Sequence, residues 1–275
     1  MPQNDYCLRE YQPTSFEQSL ASVVAPSDHP MLPLIHCADI TRRPGSNVHT
    51  AGEILCSGRI EPVLCDVFLE DLVYTYIGRP AYREFTRPVC FILKPLPKLL
   101  QNLFLFDTGA YRTERYGRLV DSFQDIHLFR IPATEDAVKR FILKYFGSNE
   151  NYFFSREARR DEFELEGSLE EFSYRLFCRL NAFSRMNFDD RCRTLENIIR
   201  CPVDLNEALQ AIVFPRSRCS ASDFPGWSGV LPKDVDIMTY DDRNGTATPL
   251  ECADELSRVL NTYYQKEGYF ADNET

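Results

Sequence analysis

The apolar residues of this chain come in short bursts, and that shortness limits what it can fold into. The longest runs, VCFIL and LFLF, are far below the roughly 20 residues a membrane helix needs, so no span is expected. Bursts of this length bounded by Pro, Gly and polar residues read as strands over Leu32–Cys37, Asp71–Tyr76, Val89–Lys94, Leu103–Phe106, Ile126–Ile131, Arg193–Ile199, Leu209–Phe214 and Asp236–Tyr240. Helix signals are fewer. Thr50 and Glu53 form a capping box before a helix that Gly58 can stop, and Gly147 can end a helix over Thr134–Phe146. A second box, Ser168 with Glu171, opens a helix to about Phe183, and a last helix runs from about Pro249 to Tyr264. Strands that bracket a few helices without regular βαβ alternation indicate an α+β domain with a largely antiparallel or mixed sheet. Its 44% apolar content over 275 residues is enough for a full core. The expected organisation is an N-terminal arm or helix over 1–30, with an amphipathic piece near Phe16–Val24, then one domain over 31–275 with an inserted middle region at about 104–167.

Charge and composition exclude several classes. A net charge of -10 disfavours nonspecific binding to nucleic acid or to a membrane surface, although a local basic groove is compatible with it. The start, MPQNDYCLREYQ, lacks a basic segment followed by an apolar one, so no secretory signal is read and a cytoplasmic location is expected. The ten cysteines include no C-x-x-C pair, and His29, His36, His49 and His127 form no H-x3-H set, so no metal is expected and most thiols read as buried and reduced. The Rossmann glycine fingerprint, the P-loop, the G-x-S-x-G elbow and the H-E-x-x-H helix are all missing.

Three segments in a fixed order carry the candidate chemistry. In LIHCADIT…HTAGEILCSGRI, an apolar strand delivers His36 ahead of a capped helix. LVYTYIGRPAYR is an aromatic strand with Tyr76, followed by Arg79 at a Gly-Pro bend and then Tyr82. A planar guanidinium on a fixed backbone suits a pyrophosphate or a carboxylate. RCRTLENIIRCPVDLNEALQAIVFP places Glu196 midway along a strand, an unusual residue for that position.

Together the segments resemble the DarT-type ADP-ribosyltransferases. Those proteins have a His-containing strand followed by a helix like L-x-x-I-L-x-x-G-x-I, here AGEILCSGRI; an aromatic strand leading to an Arg; and a strand around a glutamate that leads to an apolar strand. The resemblance implies an ADP-ribosyltransferase-like split, mixed or antiparallel sheet with flanking helices, and NAD as co-substrate. It implies His36, Tyr76 and Tyr82 on the cofactor, Arg79 at the phosphates or the reacting centre, and Glu196 as the catalytic carboxylate. Breaking the N-glycosidic bond of NAD leaves a cationic sugar, which a carboxylate stabilises while activating the incoming nucleophile. The implied acceptor is a macromolecule, DNA, RNA or protein, in a toxin or phage-defence setting with a possible antitoxin or activator. With water as acceptor the enzyme is an NAD glycohydrolase.

Other readings compete. The stretch TRRPGSNVHT is long for that family and brings His49 as a rival, which beside the Thr50 cap reads as structural. The same fold without turnover would be an interaction module. LFLFDTGA resembles the aspartic-protease signature, in which Asp107 shares a proton with a second Asp across a homodimer. The bracing element of such proteases is missing downstream, so Asp107-Thr108-Gly109 reads as a strand-end turn, with Arg112, Arg115 and Tyr116 as a possible loop over the nucleotide. Cys37 beside His36 is a candidate thiol nucleophile, although adjacent strand residues face opposite sides, and FPGWSG around Trp227 reads as a Pro-Gly turn with an anchoring aromatic in preference to a binding loop.

Overall fold

The computed structural model describes residues 7–41, 48–80, 85–112, 125–156, 191, 194–219 and 224–270. The expected helix from Ser168 and the residues Tyr82, Arg115 and Tyr116 lie outside the described residues.

A mixed sheet with flanking helices forms the centre. Its strands are β1 (Leu34–Asp39), β3 (Val63–Leu64), β4 (Asp71–Ile77), β5 (Pro88–Leu93), β6 (Asn102–Phe104), β7 (Arg130–Ile131), β8 (Glu196–Ile199), β10 (Leu209–Pro215) and β11 (Asp236–Tyr240), while β2 (Arg59–Ile60) and β9 (Val203–Asp204) pair separately. The order is β11-β10-β5-β1-β4-β8-β6-β7, with β3 beside β4. Only β10 and β11 run parallel among the described pairs. The helices are α1 (Ser15–Leu20), α2 (Ala51–Ser57), α3 (Thr108–Arg112), α4 (Glu135–Phe146), α5 (Asn149–Phe153), α6 (Leu205–Ala208), α7 (Arg216–Cys219), α8 (Phe224–Gly229) and α9 (Pro249–Lys266).

Local chemistry explains most boundaries. Thr50 and Glu53 close the capping box of α2, and Gly58 stops that helix in the left-handed region. Gly147 stops α4 in the same way. The continuous apolar run of β5 is buried at every position, as a strand covered on both faces must be. Ile126–Phe129 departs from the strand expected there and is a single 3-10 turn. Asp125 accepts from the His127 N–H, and Ile126 and Phe129 are buried one turn apart, so capping and packing override the strand propensity of the stretch. FPGWSG forms the short helix α8 rather than a plain turn.

The N-terminal segment belongs to the core. Phe16 and Leu20 of α1 are buried, Phe16 lies 6.2 Å from Phe129 between ring centroids, and Ser19 meets the Tyr145 hydroxyl of α4 at 3.3 Å. Within the middle region β7 closes the sheet edge through Arg130, whose side chain is 2% exposed. Its guanidinium donates to Asn102 Oδ1 at 2.7 Å and to the Arg9 carbonyl at 2.8 Å, so a buried charge keeps partners. Asn197 joins β8 to its surroundings by donating to Thr75 Oγ1 at 3.0 Å and to the Leu99 carbonyl at 2.9 Å.

One irregularity positions the site. β1 pairs with β5 along its full length, from Leu34 opposite Leu93 to Asp39 opposite Pro88. Against β4 it pairs only at Leu34 opposite Ile77 and Ile35 opposite Tyr76. Beyond that step the two strands part.

The end of β4 is fixed by Gly78. Its φ is +63°, and a Cβ there would stand 2.6 Å from Leu32 Cδ1 and 2.9 Å from Leu32 Cβ. Gly58, at φ +70°, has open space around its missing Cβ. Gly78→Ala therefore adds a steric clash to the backbone cost, and is expected to destabilise by about 1–3 kcal/mol and by more than Gly58→Ala. Urea denaturation of the two variants checks the order of their midpoints; equal shifts would refute it.

Candidate functional site

Where β1 and β4 part, a cavity of about 260 Å³ opens. β1 contributes His36, Cys37 and Asp39, β4 contributes Leu72, Val73, Tyr74 and Tyr76, and α2 with its cap contributes His49, Thr50 and Ile54. Ile60, Glu61, Val63 and Phe85 complete much of the wall. A largely apolar, aromatic wall with a few polar groups is the composition of a small-molecule site, and the volume is at the small end, enough for a ring and a sugar rather than a dinucleotide.

His36 is held in one tautomer. Its Nδ1 lies 2.8 Å from the Tyr74 carbonyl, an oxygen that can only accept, so Nδ1 carries the proton. The imidazole takes the place of the ladder partner that β4 loses when β1 departs. Burial pushes its pKa below the usual histidine value, with nearby His49 adding to that and the Tyr74 bond opposing it, so the ring is neutral and Nε2 is an acceptor. The Tyr74 ring is fixed from behind, because its hydroxyl meets the Cys65 thiol, which also accepts from Val67 N–H at 3.1 Å.

Tyr76 links the cavity to a second cluster. Its hydroxyl donates to Asp107 Oδ2 at 2.7 Å, and Glu196 Oε1 lies 3.3 Å from the same oxygen. Thr108 donates to Glu196 Oε2 from both its backbone N–H, at 2.9 Å, and its hydroxyl, at 2.7 Å. Asp107 caps the first turn of α3, accepting from Ala110 N–H at 2.6 Å, where a strand-end turn was expected. Tyr76, Asp107, Thr108 and Glu196 are all buried. Burial, and next the charge of Asp107, push Glu196 well above the ordinary carboxylate range against the opposing bonds from Thr108 and Tyr76.

The sequence candidates thus separate. Tyr76 and Glu196 are directly opposite each other on β4 and β8 and share a face with Ile35. His36, one residue along from Ile35, starts on the other face and reaches the cavity because the strands have parted. His36 and Tyr76 come together in the cavity; Glu196 stands behind Tyr76 and is not part of the lining. Arg79 follows Gly78 at the far end of β4, buried, with its guanidinium carbon 5.6 Å from the centre of the Tyr152 ring, and does not line the cavity. His49, read from sequence as structural, lines the cavity with Nδ1 4.0 Å from Glu53 Oε2. Two lining carboxylates, Asp39 and Glu61, went unread: each sits at a strand end, where an acid looks like a solvated turn residue. Asp107 and Glu196 are joined through the Tyr76 hydroxyl. No group of three or more His, Cys, Asp or Glu suited to a metal ion occurs among the described residues, and no helix there is long and apolar enough to cross a membrane.

Comparison with family models, with curated proteins and with solved structures finds no match. The functional reading rests on the residues themselves.

The carboxyl pair makes stability depend on pH. A folded-state pKa raised above the ordinary value of 4.5 means that the stabilising contribution of Glu196 is complete below 4.5 and is lost as pH rises toward the folded pKa. Glu196→Gln removes that titration while keeping an acceptor for Thr108. Its stability relative to the wild type is expected to rise between pH 5 and pH 7, by up to about 1.4 kcal/mol per pH unit. Urea midpoints for both proteins at each pH check this; a constant difference would show that Glu196 is already ionised.

Proposed function

We propose that the chain binds NAD by its nicotinamide–ribose end in the cleft between β1 and β4, and transfers ADP-ribose to a macromolecule. The observation that carries the reading is the meeting of His36, fixed as an acceptor at Nε2, with Tyr76 in one aromatic cavity. A ribose hydroxyl is a donor suited to that nitrogen. The nicotinamide ring of NAD is flat and cationic, and a wall of Tyr74, Tyr76 and Phe85 with the carboxylates Asp39 and Glu61 favours a flat cation over an anion. The order of the three sequence segments, which resembles the DarT-type enzymes, supports the same reading.

In this reaction the bond from the ribose to the nicotinamide nitrogen breaks, its electron pair neutralises the pyridinium, and an acceptor oxygen or nitrogen bonds to the sugar while its O–H or N–H bond breaks and the proton passes to solvent. The carboxylates facing the developing positive charge are Asp39 and Glu61. Glu196 acts with Asp107 by holding the Tyr76 hydroxyl, so it is a positioning residue in this geometry. Water in place of the macromolecule makes the same site an NAD glycohydrolase.

One observation favours a second reading, a binding module without turnover. Glu196, the residue assigned the catalytic charge by resemblance, is 0% exposed, does not line the cavity, and is pushed well above the ordinary carboxylate range by its burial. The two readings part in one experiment. The wild type incubated with NAD labelled in its ADP-ribose and with cell lysate is expected to release nicotinamide and place label in nucleic acid or protein, and His36→Ala is expected to bind NAD about tenfold more weakly, the loss of one good hydrogen bond. NAD binding without nicotinamide release would establish the binding module. No binding at millimolar NAD would refute both.

A further inference from the structure

Cys37 and Cys90 stand directly opposite each other on the antiparallel strands β1 and β5. Opposed residues in such a ladder have Cα atoms about 4.5–5.5 Å apart, inside the 4.4–6.8 Å range that a disulfide spans. Their side chains leave the sheet on the same face. Both are free thiols. Their environments differ. Cys90 is 0% exposed in the middle of the most buried strand, whereas Cys37 lines the cavity beside His36 and is partly accessible.

We infer that Cys37 and Cys90 are a redox pair that a hydroperoxide converts into a cross-strand disulfide in the wall of the β1/β4 cleft. The asymmetry sets the order of events. A peroxide entering the cleft meets Cys37 first: the sulfur attacks one oxygen, the S–O bond forms, the O–O bond breaks, and the departing oxygen leaves as water with the thiol proton. Cys90 then attacks the Cys37 sulfur, the S–S bond forms, the S–O bond breaks, and the hydroxyl leaves as a second water with the Cys90 proton. Two thiols are oxidised and one peroxide is reduced to water. Burial pushes the Cys90 thiol well up from its usual value, so it is poorly suited to attack peroxide in solution, and its place directly opposite Cys37 on the neighbouring strand suits it to the second step. The bond takes the Cys37 thiol out of the cavity lining and ties β1 to β5 one residue from His36.

This inference is independent of the NAD reading, and its test uses no nucleotide. The full chain, reduced and then treated with a small excess of hydrogen peroxide, is analysed by intact mass and by non-reducing peptide mapping. The expected result is a monomer that has lost two hydrogens, with the Cys37 and Cys90 peptides linked, and that is restored by dithiothreitol. The link is expected to vanish in Cys37→Ser and to persist in Cys56→Ala, which removes an exposed thiol. Because mapping is done on the wild type, the outcome does not depend on a variant at buried Cys90 folding. Added oxygen on Cys37 without a link, links confined to exposed Cys7, Cys56 or Cys201, or no reaction at Cys37 would each overturn the inference.

Discussion

The candidate cleft of this molecule follows from β1 abandoning β4 after two residues. A strand that leaves its neighbour strands backbone groups that must find other partners, at a cost of about 1–3 kcal/mol for each one left buried and unmet. Here the His36 imidazole meets the Tyr74 carbonyl, so one contact repairs the ladder, fixes the tautomer and holds the gap open. β1 can afford to part from β4 because its other edge is held by β5 over six residue pairs. On the far side, β4 is held by β8 over four. The cleft is thus a defect between two well-paired halves of one sheet, a rigid place to put a ligand.

The buried carboxyl pair is the second constraint, and it is coupled to the first through Tyr76. A phenol that lines the cleft and donates its proton to Asp107 has a fixed orientation, since Asp107 is itself held by the first turn of α3. Glu196 completes the arrangement at 3.3 Å from the Tyr76 hydroxyl, and its burial, with the charge of Asp107 next, raises its pKa well above the ordinary carboxylate range. The same pairing bears on the protease reading. Asp107 is 1% exposed and accepts from the Tyr76 hydroxyl and the Ala110 N–H of its own chain.

How much of this was legible depended on how local its cause is. Thr50 with Glu53, Gly58 and Gly147 act within a turn, and their helix ends are where a local reading places them. β5 was legible because a strand buried on both faces advertises itself as an unbroken apolar run. Ile126–Phe129 was misread as a strand, since β-forming residues there answer to the Asp125 cap and to packing on both sides of a 3-10 turn. The pairing of Asp107 with Glu196 joins segments with no shared local pattern. Hydropathy also cannot say that Asp39 and Glu61 face inward, or that His49 shares a cavity with His36. The mixed sheet with flanking helices was expected from the order of strands and helices; the gap between β1 and β4 has no local sequence signal, because it arises from pairing between distant segments.

The most direct measurement is a crystal structure of the chain soaked with NAD at saturating concentration. The account requires density for a nicotinamide ring and its ribose between β1 and β4, with a ribose hydroxyl within hydrogen-bond distance of His36 Nε2 and the ring against Tyr76. A dinucleotide bound elsewhere on the molecule, with that cleft holding only solvent, would contradict it.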